Sequence, residues 1–332
     1  MLAAYIEQTG SPDVIKIGSL PDPSPGPGQV RVRVHAASIN PIDTYIRSGL
    51  VAMKLSFPFV PGCDLAGVVD QAGEGAIRFK PGDRVWASNQ GLLGRQGTLA
   101  EFAVVDEAWL HGIPDGVDFE TAAAVSLTGI TAHLGLDRLA RVQAGETVFV
   151  RGGTGGVGSM VVQIAKAMGA RVAASAGSEE KAILCANLGA ERVVLYKQES
   201  IADAIKSWAP AGVNLWWETV REPDFDLIVG SLAPRGRIVL MAGREARPAF
   251  PVGPFYVKGC SMFGFAMFTF SAEEQRPCGA AISRWLAEGR LQARIDRVLP
   301  LSAAAEAHRL QEENTLRNAG LLAGKIVIRI HG

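Results

Sequence analysis

The sequence predicts an α/β protein with a β-rich first domain and a second domain built on a doubly wound parallel sheet. Three observations carry that prediction. Gln29-Val-Arg-Val-Arg-Val-His35 alternates apolar and polar residues, the pattern of a half-buried strand. From about Gly145 short apolar runs alternate with helical stretches, which favours a parallel sheet covered on both faces. Within that series the strand Thr147–Val150 runs into the turn Gly152-Gly-Thr-Gly-Gly-Val-Gly158 and then an apolar helix.

In the first domain, the turn-rich stretch Leu20–Gly28 precedes that opening strand. Further apolar runs at Leu65–Asp70, Arg84–Ala87 and Ala100–Val105 are separated by Gly, Pro and Asp. Together they read as a small twisted barrel with loops. In the second domain the expected order continues with helix Gly156–Met168, strand Arg171–Ala176, helix Ser178–Leu188 and strand Arg192–Tyr196. Ser178 is the expected N-cap of its helix. Helix Ile201–Trp208, strand Val213–Glu218, helix Phe225–Leu232 and strand Arg237–Ala242 follow. After Met262–Phe270 the pattern shifts to helix Ala272–Glu288, a strand near Ile295–Leu299, helix Ser302–Gln311 and a last strand Lys325–Ile330. This tail is read as returning to the first domain.

A chain of 332 residues suits two domains of ordinary size. Its 33 basic and 33 acidic residues balance, which removes any general attraction to nucleic acid or an acidic membrane. The first residues lack the basic and apolar regions of a signal peptide, and no stretch offers the roughly 20 apolar residues of a membrane span. The most apolar candidate, Ala122–Leu136, is interrupted by Ser126, Thr128, Thr131 and His133. Cys63, Cys185, Cys260 and Cys278 lie far apart and read as reduced thiols. A soluble cytoplasmic protein is the expectation.

A glycine turn between strand and helix lets backbone N–H groups and a helix N-terminus approach a pyrophosphate closely, as in a Rossmann domain. An NAD site places a carboxylate at the end of the second strand to meet the ribose 2′-hydroxyl. Here Ala174-Ser-Ala-Gly-Ser178 stands instead, with Lys181 one helical turn on. Small neutral groups and a lysine suit a 2′-phosphate, so NADPH is the expected cofactor. The plainer account is that Ser178 only caps the helix and Lys181 is a solvated charge.

At this point the chain resembles the medium-chain dehydrogenase/reductase superfamily, in its zinc-independent quinone oxidoreductase (zeta-crystallin-like) branch. The resemblance rests on Asn40-Pro-Ile-Asp-Thr-Tyr-Ile-Arg-Ser-Gly49, Pro61-Gly-Cys-Asp-Leu-Ala-Gly-Val-Val69, Lys80-Pro-Gly-Asp-Arg-Val85 and Thr128-Gly-Ile-Thr131. The glycine turn, the helix Val161–Ala170 and the closing Gly324-Lys325 extend it. It implies a GroES-like catalytic domain over 1–122 and 268–332, with a Rossmann NADP-binding domain over 123–267. It also implies a homodimer joined through sheet edges near Val257–Phe268. By motif matching, Thr154, Gly155, Gly156 and Val157 contact the pyrophosphate, and Gly177, Ser178, Lys181 and Tyr196 surround the 2′-phosphate. Ala242, Gly243, Phe265, Ala266 and Met267 lie near the nicotinamide. Asn40, Thr131 and Lys325 complete the implied cofactor set. Two positions depart from the branch: Leu50-Val-Ala52 replaces a tyrosine often found after Arg-Ser-Gly, and Glu222 stands where another polar residue is usual.

Zinc-dependent relatives need a thiolate, an imidazole and a third ligand. The matching positions here are Asn40, Cys63 (with Asp64 beside it) and Ala124, and Ser88–Thr98 lacks the cysteines of a structural zinc lobe. No metal is therefore expected. Cys63 reads as a small buried hydrophobe. His133 reads as packing and His308 as part of a solvated helix face. Without zinc to polarise a carbonyl, hydride transfer needs an acceptor that is already electrophilic, a quinone or an activated alkene. Asn40 is a candidate to orient the nicotinamide or acceptor carbonyl, and Tyr45 a candidate phenolic donor. Asp43 and Arg47 either shape the pocket or form a structural pair. The first reading is an NADPH-dependent quinone reductase; the alternative is an enal or enoyl-thioester double-bond reductase. A third is an NADPH-binding sensor or RNA-binding protein with little turnover, disfavoured by neutral charge and the lack of an aromatic RNA-binding motif.

Overall fold

The computed structural model describes residues 1–317, 319–320 and 322–331, so residues 318, 321 and 332 of the expected C-terminal segment lie outside it. The chain forms two compact units, Met1–Ile130 with Phe270–Gly332, and Thr131–Thr269. Among the described residues no helix is long and apolar enough to cross a membrane.

The first unit opens with β1 (Leu2–Tyr5) and β2 (Lys16–Ser19), an antiparallel pair not expected from the sequence. β3 runs from Gln29 to Ile39, past the expected end at His35. Its first half alternates buried and open residues, but Ala36–Ile39 is buried throughout, so the period-2 signal stops before the strand does. Helix α1 (Pro41–Ser48) is a further addition. Pro41 suits its first turn, and Gly49, at φ +81°, closes it in the left-handed region that glycine tolerates. β4 (Asp64–Ala72), β5 (Arg84–Ala87), β6 (Phe102–Asp106), β7 (Leu110–Gly112) and α2 (Phe119–His133) follow.

The second unit contains β8 (Thr147–Val150), α3 (Gly156–Ala167), β9 (Arg171–Ala176), α4 (Glu179–Asn187), β10 (Arg192–Leu195), α5 (Ile201–Trp208), β11 (Val213–Glu218), α6 (Phe225–Ser231), β12 (Leu232–Leu240), α7 (Val252–Val257) and β13 (Ser261–Gly264). The sheet order is β10-β9-β8-β11-β12-β13, with every pair parallel. This is the Rossmann order. Helix starts are capped as their sequences require: Ser178, Ser200 and Asp224 accept from the N–H three residues on. One core packs Phe149, Trp216, Ile228 and Ile238 between sheet and helices.

The chain then returns to the first unit with α8 (Ala272–Ala287), β14 (Ile295–Pro300), α9 (Ala304–Leu316) and β15 (Lys325–Arg329). The seven-stranded sheet there runs β14-β15-β3-β4-β5-β7, with β6 also paired to β3. Val30, Val32, Val34, Leu65 and Val85 form its core. The last strand pairs antiparallel with β3, placing Lys325 next to the end of β3 and the start of α1.

Candidate active site

All strands of the second unit point the same way, so their carboxyl ends share one edge of the sheet, and the sequence-predicted cofactor residues gather there. Thr154, Gly155, Gly156 and Val157 follow β8; Gly177 and Ser178 follow β9, with Lys181 in the first turn of α4. Tyr196 follows β10, Ala242 and Gly243 follow β12, and Phe265, Ala266 and Met267 follow β13. Thr131, the first residue of this unit, is buried near the end of α2, most of which belongs to the first unit. The glycine turn stands where β8 separates β9 from β11, the switch point of the sheet.

That turn is folded tightly beneath and open above. A Cβ on Gly158 would lie 2.1 Å from the Gly152 carbonyl oxygen, whereas one on Gly155 would meet nothing closer than 3.5 Å. The first bond of α3 runs from Ser159 N–H to Gly155 O at 2.9 Å. The N–H groups of Gly156, Val157 and Gly158 precede it and have no helical acceptor. A pyrophosphate fits such a cradle by shape and by charge.

Ala176, Gly177 and Ser178, at the tip of β9, carry no carboxylate, and the nearby Glu179 and Glu180 belong to the first turn of α4. Ser178 Oγ accepts from Lys181 N–H at 3.4 Å, which uses a lone pair and leaves the hydroxyl hydrogen to donate. A Cβ on Gly177 would come 2.8 Å from Tyr196 Oη, so glycine keeps this tip open. Two residues here escaped the sequence reading. Arg151 lays its guanidinium over the Tyr196 ring, 4.6 Å from the centroid. Glu218, buried at the end of β11, accepts from Trp216 Nε1 at 3.0 Å and Val220 N–H at 2.7 Å. Burial raises its carboxyl above the ordinary range. The available signal was position: both close a strand at the edge where ligands bind.

Asn40, Tyr45 and Lys325 lie in the first unit. Asn40 is 1% exposed. Its Nδ2 donates to Asp64 Oδ2 at 2.8 Å and to Ser38 O at 3.3 Å, and its Oδ1 accepts from Lys325 Nζ. Its own N–H donates to Asp43 Oδ2 at 2.8 Å, closing the start of α1. Lys325, assigned to the cofactor by resemblance, is buried and also donates to Ile39 O at 2.8 Å. Asp64 further accepts from Ser38 and Ser88 hydroxyls at 2.8 and 2.7 Å. Burial, with Asp64 nearby, pushes Asp43 up to about 7, and burial beside both carboxylates holds the Cys63 thiol well above its usual range. Cys63 is thus a protonated, buried thiol.

Tyr45 sits half-buried on α1, and its hydroxyl has no protein partner among the described residues. Asp43 and Arg47 do not pair with each other: Asp43 caps α1, while Arg47 binds Glu312 of α9 and the Gly10 carbonyl. His308 is fully buried, not on a solvated face. The buried residues of α9, Ala304, Ala307, His308 and Gln311, fall at i, i+3, i+4 and i+7, so His308 belongs to the inward stripe. Among the described residues no three His, Cys, Asp or Glu side chains are arranged to hold a metal ion. In the segment 88–98, Gln96 provides cross-links, accepting from Val60 N–H at 2.8 Å and donating to the Ser56 and Pro58 carbonyls.

Models of the alcohol dehydrogenase GroES-like domain and of the zinc-binding dehydrogenase match residues 26–115 and 156–282. Human quinone oxidoreductase is 32% identical over 99% of this chain and 97% of its own length. A solved structure described as an NAD-dependent alcohol dehydrogenase superposes with TM-score 0.88 at 32% identity, covering 100% of both chains. A mycobacterial protein solved in complex with NADPH superposes with TM-score 0.84 at 29% identity, covering 99% of each chain. These neighbours divide between NAD and NADPH, the choice that the tip of β9 addresses. Across its whole length, the chain belongs to the quinone oxidoreductase family of medium-chain dehydrogenases/reductases and is an oxidoreductase.

Proposed function

We propose that this protein reduces a quinone, or a similarly electrophilic small molecule, with NADPH and without a catalytic zinc. The observation that carries the reading is the set of groups at the tip of β9: no carboxylate on Ala176, Gly177 or Ser178, a Ser178 hydroxyl hydrogen left to donate, Lys181 and an open Gly177, with Glu179 and Glu180 in the first turn of α4. A carboxylate there would repel a 2′-phosphate; these groups attract one. The glycine turn of β8 would hold the pyrophosphate. Ala242, Gly243, Phe265, Ala266 and Met267 would border the nicotinamide, which supplies the hydride when bound.

The zinc-free part of the reading is supported by the donor set. An amide at Asn40 and a methyl at Ala124 leave Cys63 as one thiol where a catalytic zinc needs three protein ligands. The buried positive charge beside Asn40 belongs to Lys325. Lacking a Lewis acid, the site would depend on an acceptor that is already electron-poor. Asn40, with its donors engaged inside the unit, is given a positioning role at the start of α1. Tyr45, on the same helix, is the proposed donor to the developing quinol oxygen. Names carried by relatives support the quinone over other acceptors.

A homodimer is part of the proposal. Among the described residues β13 has a neighbour on one side only; Met262 is exposed within it, and Tyr256 and Val257 are exposed at the end of α7, which precedes it. Such an edge invites a second strand. The test of function is oxidation of NADPH and of NADH with 1,4-benzoquinone, an enal and an enoyl thioester. Turnover of the quinone with NADPH is expected. A preference for NADH, or turnover of the alkenes alone, would overturn the corresponding part.

A further inference from the structure

We propose that Arg151, stacked on Tyr196, is a specificity residue for the 2′-phosphate of the cofactor; this rests on the NADPH reading above. Arg151 follows β8, and Tyr196 follows β10, with β9 between them in the sheet. The arginine side chain therefore crosses above the β9 tip, the place where an NAD site carries its carboxylate. On the way its Nη1 donates to Ser175 Oγ at 3.3 Å, and its guanidinium comes to rest 4.6 Å from the Tyr196 centroid.

Three features make this a prepared anion site and not a solvated charge. The Tyr196 ring under the guanidinium and the bond to Ser175 hold the arginine head in place, so it loses less freedom on binding. Only one of its five N–H donors has a protein acceptor among the described residues, and no carboxylate there lies within ion-pair distance. The ground beneath is cleared: a Cβ at Gly177 would come 2.8 Å from Tyr196 Oη, and Ser178 and Lys181 stand on the next turn. A planar fork reaching over the β9 tip, with a lysine in the first turn of the following helix, suits a phosphate.

A purely structural role is the competing account, because Arg151 also exerts an electrostatic pull on buried Glu218. The two accounts separate in binding measurements with adenosine 2′,5′-bisphosphate and adenosine 5′-monophosphate, which differ only by the 2′-phosphate. Calorimetric titration of the full chain should show wild type favouring the bisphosphate. Arg151→Gln should weaken the bisphosphate about tenfold or more and leave the monophosphate within about twofold, with Arg151→Lys in between. Tyr196→Phe should keep the preference, and Tyr196→Ala should erode it. If Lys181→Ala loses the preference while Arg151→Gln keeps it, the proposal is overturned and the NADPH reading stands. Equal weakening of both ligands by Arg151→Gln would likewise overturn it, as a structural role. No preference in wild type would overturn the NADPH reading, and this proposal with it.

Discussion

The Asn40 amide bridges the Lys325 ammonium and the Asp64 carboxylate, accepting from one and donating to the other within the first unit. All three side chains are buried, so each charge depends on this chain of hydrogen bonds for its compensation. Lys325→Met should therefore leave Asp64 uncompensated and cost about 3–5 kcal/mol in a denaturant titration. The double variant Lys325→Met/Asp64→Asn should recover part of that loss, because the stranded charge is gone. Independent, additive effects would show that the amide does not couple the two.

The same ammonium bears on metal dependence. Prolonged dialysis against a strong chelator should leave the quinone reductase rate unchanged, and elemental analysis should find zinc well below one equivalent. A stoichiometric zinc whose removal abolishes turnover would reject the zinc-free reading.

The Rossmann unit was legible because its signals are local. The bounds of β8, β9, α5 and β11 match expectation, since each apolar run ends at or near a glycine, a proline or a charged residue. α1 was missed because eight residues beginning at Pro41 look like a turn, and its cap is Asp43 reaching back to Asn40. Lys325 illustrates a different limit. The resemblance placed it in the cofactor set, and its hydrogen bond to Asn40 follows only from the pairing of β15 with β3. Arg151 shows the converse: its value depends on Tyr196, which lies two strands away across the sheet.

His308 should make the protein sensitive to acid. Burial, with Arg47 adding to it, holds the imidazole at about 3, far below its value of 6.5 in an unfolded chain. Below about pH 6.5 the unfolded chain takes up a proton that the folded chain refuses, so stability falls as pH falls. At pH 5 this amounts to about 2 kcal/mol. Asp43 works in the opposite sense: raised to about 7, it keeps its proton in the fold and weakens stability as pH rises towards that value. The difference between wild type and His308→Leu isolates the histidine. That difference should move in the variant's favour from pH 7.5 to pH 5, and a constant difference would show that His308 charges freely in the fold.

Tyr45→Phe tests the proposed proton donor. The hydroxyl has no protein partner among the described residues, so its removal strands no buried group. Loss of the donor should lower kcat for 1,4-benzoquinone by about 100-fold while NADPH binding is unchanged. An unchanged kcat would move the proton source elsewhere.

The proposed dimer can be tested at β13 without damage to either core. Val257, the last residue of α7, and Met262, within β13, are 75% and 42% exposed in the single chain, so lysine at both positions should change folding stability by only about 0.5 kcal/mol each. Charge on a strand edge is how monomeric sheets avoid pairing, because two copies would have to bury it. Sedimentation of wild type at micromolar concentration should give twice the chain mass, and Val257→Lys/Met262→Lys should give the chain mass itself. Unchanged melting of the variant would show that dissociation, not unfolding, produced the shift. A monomeric wild type, or a variant that stays dimeric, would remove this edge from the assembly.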